Sequence, residues 1–113
     1  MTASADFVLD RDTQWESGGT GVRRKVLGHD DGLMTVRVVF ETGGIGTPHT
    51  HPHVQTCYVV SGVFDVTISG VTRRLSAGDS FKVPSRALHG AVCVEAGELI
   101  DSFTPARLDF LPR

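Results

Sequence analysis

The chain has 113 residues, 40% of them hydrophobic and 21% charged, with a formal net charge of -2. That length can bury a core without disulfide or metal staples, and the charge balance excludes an electrostatic footprint for nucleic acid, the run Arg23-Arg24-Lys25 being too short to make one. No apolar run approaches a membrane span, and the start, MTASADFVLD, has neither the basic opening nor the apolar stretch of a signal peptide, so a cytoplasmic protein with no nucleic-acid or membrane partner is expected.

Thirteen glycines among short apolar runs read as an all-β chain with many turns. Residues 1–20 form an N-terminal arm with a short edge strand over 5–9 and a loop over 15–21, and residues 21–113 form one domain. A strand over 22–27 ends at Gly28 and the turn Asp30-Asp31-Gly32. Residues 34–41 alternate cleanly: Met34, Val36, Val38 and Phe40 face one way, Thr35, Arg37 and Glu41 the other, which is the signature of a strand buried on one side. An extended stretch from Gly43 to Gly62 follows, then strands over 64–69, 71–75, 80–83, 88–94 and 98–104, and a helical turn within 105–110. Nine or ten short strands with close turns fit a jelly roll, a double sheet closed around a pocket. Cys57 and Cys93 do not suggest a disulfide framework. By strand parity both point inward as small hydrophobes, the alternative being a thiolate ligand or nucleophile.

The stretch from Gly43 to Gly62 carries three of the five histidines, His49, His51 and His53, at alternate positions, with Gln55 next in step. In an extended strand alternate side chains share a face, so two imidazoles at this spacing can approach one ion. A strand alone cannot surround a metal, and His89 is the candidate from a second strand. Strict alternation would put His53 on the ligand face as a further ligand; Pro52 marks a bulge or edge that would instead turn it aside, to support the site or sit at the surface. Asp101 lies in an otherwise apolar strand and shares a face with Phe103. Facing a cavity it would be a candidate general acid or base; parity leaves the outer face equally open.

The spacing Gly43-x(5)-His49-x-His51-x(3)-Gln55-x(6)-Gly62 resembles the first motif of the cupin superfamily, with Gln55 where most cupins have Glu. Fifteen residues on, Gly78-x(5)-Pro84-x-Arg86-x(2)-His89-x(3)-Cys93 resembles the second, with Arg86 in place of its Gly and Cys93 in place of its Asn. The resemblance implies a cupin-type jelly-roll β-barrel and one divalent transition metal (nickel, zinc, iron or manganese) held by His49, His51, Gln55 and His89. Neutral Gln55 leaves such a site more positive than Glu would, which favours Lewis-acid chemistry on an anionic small molecule. The competing reading is a metal-free pocket with Gln55 as a hydrogen-bonding core residue.

A narrower likeness runs from Trp15 to Leu111. The Arg23-Arg24-Lys25 strand, Met34, the block from His49 to Gln55 and the ending from Asp101 to Phe110 are similar to the pectin-degradation cupins of KdgF type. Departures are Thr56 and Cys57 after the Gln, and Leu108 where an acidic residue is usual. This resemblance implies that Asp101 and Arg107 act on the substrate, that Phe103 and Arg107 bind it, and that the protein is a homodimer. It implies an isomerase- or lyase-type enzyme that opens a 4,5-unsaturated monouronate from pectin or alginate. The alternatives are a metal-dependent cupin dioxygenase and a non-catalytic ligand-binding or sensor module.

Overall fold

The computed structural model describes residues 2–112. Its eight strands are β1 (Glu16–Gly19), β2 (Val22–His29), β3 (Met34–Phe40), β4 (Ile45–His49), β5 (Val54–Ile68), β6 (Val71–Ser76), β7 (Ser80–Val83) and β8 (His89–Thr104), with 3-10 turns at Asp10–Asp12 and Leu108–Phe110. There is no α-helix among the described residues. All pairings are antiparallel.

β5 and β8 organise the rest, because they pair with each other along nearly their whole length, from Val54↔Thr104 to Ile68↔His89. The half of β8 from Gly97 to Phe103 continues through β3 to β2 and β1, while the first half of β5 continues to β7. The other halves pair with β4 and β6. One pair of bent strands therefore runs through both layers of a jelly roll. The bends fall where the β5–β8 register shifts, between Val59 and Phe64. Gly62 sits there at φ +86°, with Gly97 close against it from β8.

These bends correct the expected strand count. Gly62 and the Ala96-Gly97 pair read as strand ends, yet the chain passes through both without leaving the ladder, giving eight strands where nine or ten were expected. Two other expectations change in the N-terminal arm. Residues 5–9 form no strand, and the expected loop over 15–21 contains β1, paired with β2 through Glu16↔Arg24. The arm is held by charge rather than apolar burial. Arg23, Lys25 and Arg37 lie 4.7, 4.6 and 5.2 Å from the centre of the Trp15 ring, and Asp10 takes both Lys25 and Arg37.

Between the layers lies the core. β3 supplies Met34, Val36, Val38 and Phe40 as its alternation requires, and β5 supplies Cys57, Val59, Phe64 and Val66. Phe40 meets Phe64 edge to face with ring centres 5.1 Å apart. Cys93, Leu99 and Phe103 of β8 complete it. The helical turn expected within 105–110 is present as the second 3-10 turn.

The corner glycine Gly62 leaves no room for an added methyl group. A Cβ on Gly62 would lie 2.6 Å from the Glu95 carbonyl oxygen and 2.7 Å from the Gly97 Cα, at a backbone angle that L-residues resist. Gly62→Ala should lower unfolding free energy by about 2–4 kcal/mol, whereas Gly28→Ala, which meets nothing within 4 Å, should be neutral or stabilising by up to about 1 kcal/mol. Equal urea midpoints for the two variants would contradict the tight corner.

Candidate functional site

His49 is the last residue of β4, and across the ladder it faces His89, the first residue of β8. His51 lies in the segment joining β4 to β5, so the expected single strand is a strand, a bend and a second strand. That bend is pinned from the loop before β8. The Arg86 N–H donates to the His51 carbonyl at 2.8 Å, and the Ser85 hydroxyl donates to the Pro52 carbonyl at 2.6 Å. Arg86 holds φ +67°, the left-handed region that the glycine of the resembled motif would enter without strain. The departure at this position is thus one of residue type and not of backbone.

The three imidazoles converge. Ring centres are 4.4 Å apart for His49 and His89, 4.7 Å for His51 and His89, and 5.4 Å for His49 and His51. Their candidate donor atoms all lie within 4.8 Å of one another. Each Nδ1 faces a backbone carbonyl two residues away: Thr47 at 2.8 Å for His49, His53 at 3.1 Å for His51, and Ala87 at 2.9 Å for His89. A carbonyl only accepts, so each Nδ1 carries the hydrogen and each Nε2 keeps its lone pair. Burial holds His51 and His89 below the ordinary imidazole value, which keeps both neutral at pH 7.

Two further observations show what this lone-pair cluster suits. Nε2 of His89 is buried with no hydrogen-bond partner, a costly state for a polar atom. Nε2 of His51 lies 3.0 Å from Oε1 of Gln55, whose Nε2 donates to Asp101 Oδ1 at 3.0 Å. With the amide oriented by Asp101 and the imidazole proton placed on Nδ1, two acceptors face each other. Lone pairs gathered in this way fit a cation between them, and carbonyl-oriented histidines are the usual surroundings of a metal. The three histidines could therefore hold a metal ion, with the Gln55 oxygen beside them.

Of the two faces open to Asp101, the structure selects the inner one. The carboxylate lines a cavity of about 370 Å³ together with His49, Gln55, His89, Phe103 and Arg107. Burial pushes its pKa up to about 6, against the pull of hydrogen bonds from Cys57 and Gln55 and the charge of Arg107. Phe103 is buried below the Arg107 guanidinium, whose central carbon stands 5.1 Å from that ring and 4.1 Å from the Phe110 ring. Arg107 is itself buried. Its Nε and Nη2 donate to the two oxygens of Asp109 at 3.0 and 2.8 Å, which holds the Asp109 carboxyl below its ordinary value. Leu108 itself is exposed, and the carboxylate that grips Arg107 comes from its neighbour Asp109.

His53 stands apart from the metal-type cluster, as Pro52 implied. Its carbonyl orients His51 while its ring packs edge-on against the His51 and Phe103 rings. Sequence reasoning missed three participants: Asp109, Phe110 and Arg24, all of which line the cavity. The signal for Arg24 was available. It shares strand parity with Val22 and Val26 and so breaks an inward apolar row, but it reads as part of a basic run.

Both cysteines are buried, as parity indicates. Burial, with the Asp101 carboxylate alongside, pushes the Cys57 thiol far up, and Cys93 donates to the Glu95 carbonyl at 3.0 Å. Neither is a nucleophile in this state. A thiol reagent such as DTNB should label neither cysteine in the folded protein and both after denaturation; rapid labelling of Cys57 under native conditions would contradict its enclosure.

The comparisons with known proteins agree with this geometry. A family model described as a cupin domain matches residues 36–102. The pectin degradation protein KdgF of Dickeya dadantii (strain 3937) is 45% identical over 107 residues, 93% of this chain and 97% of that protein. The crystal structure of an RmlC-like cupin from Shewanella frigidimarina NCIMB 400 superposes with a TM-score of 0.93 at 46% identity, covering 98% of this chain and 100% of that one. KdgF from Halomonas sp. superposes with a TM-score of 0.88 at 42% identity, covering 96% and 100%. The chain belongs to the cupin family and, within it, to the KdgF-type cupins.

Proposed function

We propose that this protein is a metal-dependent enzyme that opens an unsaturated monouronate, or a closely related carboxylated sugar, in pectin or alginate breakdown. The observation that carries the reading is the junction of two devices at one cavity: a cluster of imidazole lone pairs, and a carboxylate joined to it through Gln55. His49, His51, Gln55 and His89 would hold the ion. A divalent cation there would supply positive charge that stabilises negative charge developing on a substrate oxygen. The kinship to a protein named for pectin degradation supports the substrate class.

The chemistry asked of the remaining residues is modest. Opening such a ring is an isomerisation. The C1 hydroxyl gives up a proton and the C1–O5 bond breaks to leave an aldehyde, while C4 gains a proton and C5 becomes a ketone, with no atom gained or lost. Asp101 faces the cavity and is placed to move that proton. Phe103 offers a flat apolar wall to the ring, and Arg107, anchored by Asp109, turns its remaining N–H groups to substrate oxygens. The apolar wall formed by Val38, Phe40 and Leu99 excludes water from the far side.

Untagged protein should retain about one divalent transition metal per chain, judged from the single donor set, and elemental analysis should find it lost from both His51→Ala and His89→Ala. Stoichiometric metal in both variants would remove the site. With an unsaturated monouronate, wild type should speed the loss of enol-ether absorbance over spontaneous opening. Asp101→Asn should keep the metal and lower turnover by about 100-fold or more. A wild type no faster than buffer would overturn the uronate reading, and oxygen uptake with bound iron would redirect it to a dioxygenase. Full activity in Asp101→Asn would take the proton transfer away from this carboxylate.

A further inference from the structure

Arg24 is the inward residue of β2 that the proposed chemistry leaves unused. Its inward neighbours along the strand are Val22 and Val26, and its cross-strand partner on β3 is Val38. A guanidinium on such a face is expensive unless something polar meets it. What meets it is slight. Nε donates to Glu16 Oε1 at 2.6 Å, from a β1 side chain that is 42% exposed, and the two Nη groups make no hydrogen bond among the described residues. The rest of the group leans on Phe110, with its central carbon 3.7 Å from the ring centre.

The same ring carries Arg107, at 4.1 Å. The two guanidinium carbons are therefore no more than about 8 Å apart, both on the cavity wall. They differ in what they have left to offer. The Nε–Nη2 edge of Arg107, the edge that grips a carboxylate with two parallel bonds, is filled by Asp109. Arg24 keeps both terminal nitrogens free, and its one partner is an exposed acid in a single contact, which an incoming anion can displace cheaply.

We propose that Arg24 is a specificity-determining residue of this site: it takes the carboxylate of the sugar through its free terminal nitrogens, with Glu16 holding the side chain in place until the ligand arrives. This rests on the uronate reading above and deepens it, assigning the preference for an acidic over a neutral sugar to β2, two strands away from Asp101 in the same layer. Arg107 then contributes charge and N–H contacts beside the reacting ring, and Phe110 keeps the two cations at a fixed spacing.

The test uses metal-loaded, full-length protein and two non-reacting probes, galacturonate and galactose, titrated by calorimetry. Wild type should prefer galacturonate. Arg24→Gln should weaken galacturonate by about tenfold or more while changing galactose by less than about twofold, and Arg24→Lys, which keeps the charge without the planar fork, should fall between them. Glu16→Gln removes the competing acid and should bind galacturonate at least as tightly as wild type. If the Arg24 variants do not fold, as judged by circular dichroism, weaker galacturonate binding by Glu16→Gln would overturn the proposal and equal or tighter binding would support it. If Arg24→Gln folds and keeps the wild-type preference, the assignment is wrong and the uronate reading stands. If wild type shows no preference, both fall.

Discussion

The carbonyls of Thr47, His53 and Ala87 each accept a hydrogen bond from the Nδ1 of an imidazole two residues away, and the character of the whole site follows from those bonds. They place three protons on the outer nitrogens and three lone pairs inside. They also determine what Gln55 can be. Its amide N–H₂ is turned to Asp101, so its oxygen must look toward the imidazoles, and a neutral residue is oriented there as a glutamate would be without adding a negative charge. The carboxylate that a typical cupin has among its metal-type donors stands one residue further out, on Asp101. The charge is displaced from the cluster to a place where it faces the cavity.

That arrangement is a product of the double sheet rather than of any one strand. β4 brings His49 opposite His89, the loop before β8 ties down the bend that carries His51, and β5 lays Gln55 beside Phe103, its cross-strand partner on β8. β8 then returns through its corner to present Asp101 and Phe103 from the other layer. The cationic side of the cavity has a separate origin. Arg24 comes from β2 and Arg107 from the segment after β8, and Phe110 gathers them.

Much of this was legible in the sequence, and what was not has specific causes. The paired spacings around His49 and His89 identified the fold and the three converging imidazoles, because motif spacing survives changes in the residues between. The strand count failed because a glycine at φ +86° reads as an ending whether the ladder stops or merely turns its corner. The same corner left Asp101 undecided: strand parity cannot be carried across a bend from His89 to Asp101 without knowing the slip. β1, with the sequence Glu-Ser-Gly-Gly, has almost no intrinsic strand signal. It forms because Trp15 beside it is clasped by three cations from the neighbouring strands, a contact between segments that no local pattern contains.

The central position of β8 also has a bearing on how the molecule comes to exist. β3, β4 and β5 precede it in the chain, and all three find a partner in it; the outermost β5 pair, Val54↔Thr104, spans fifty residues of sequence. Until the ribosome has released the chain through Thr104, those strands have unpaired edges and the cavity has neither His89 nor Asp101. Non-local pairing of this kind places folding on the slow side for a chain of this size. For that interval the long edge of β5, with Val54, Tyr58 and Val60 on its outer face, is the part of the nascent protein most open to mispairing with another copy.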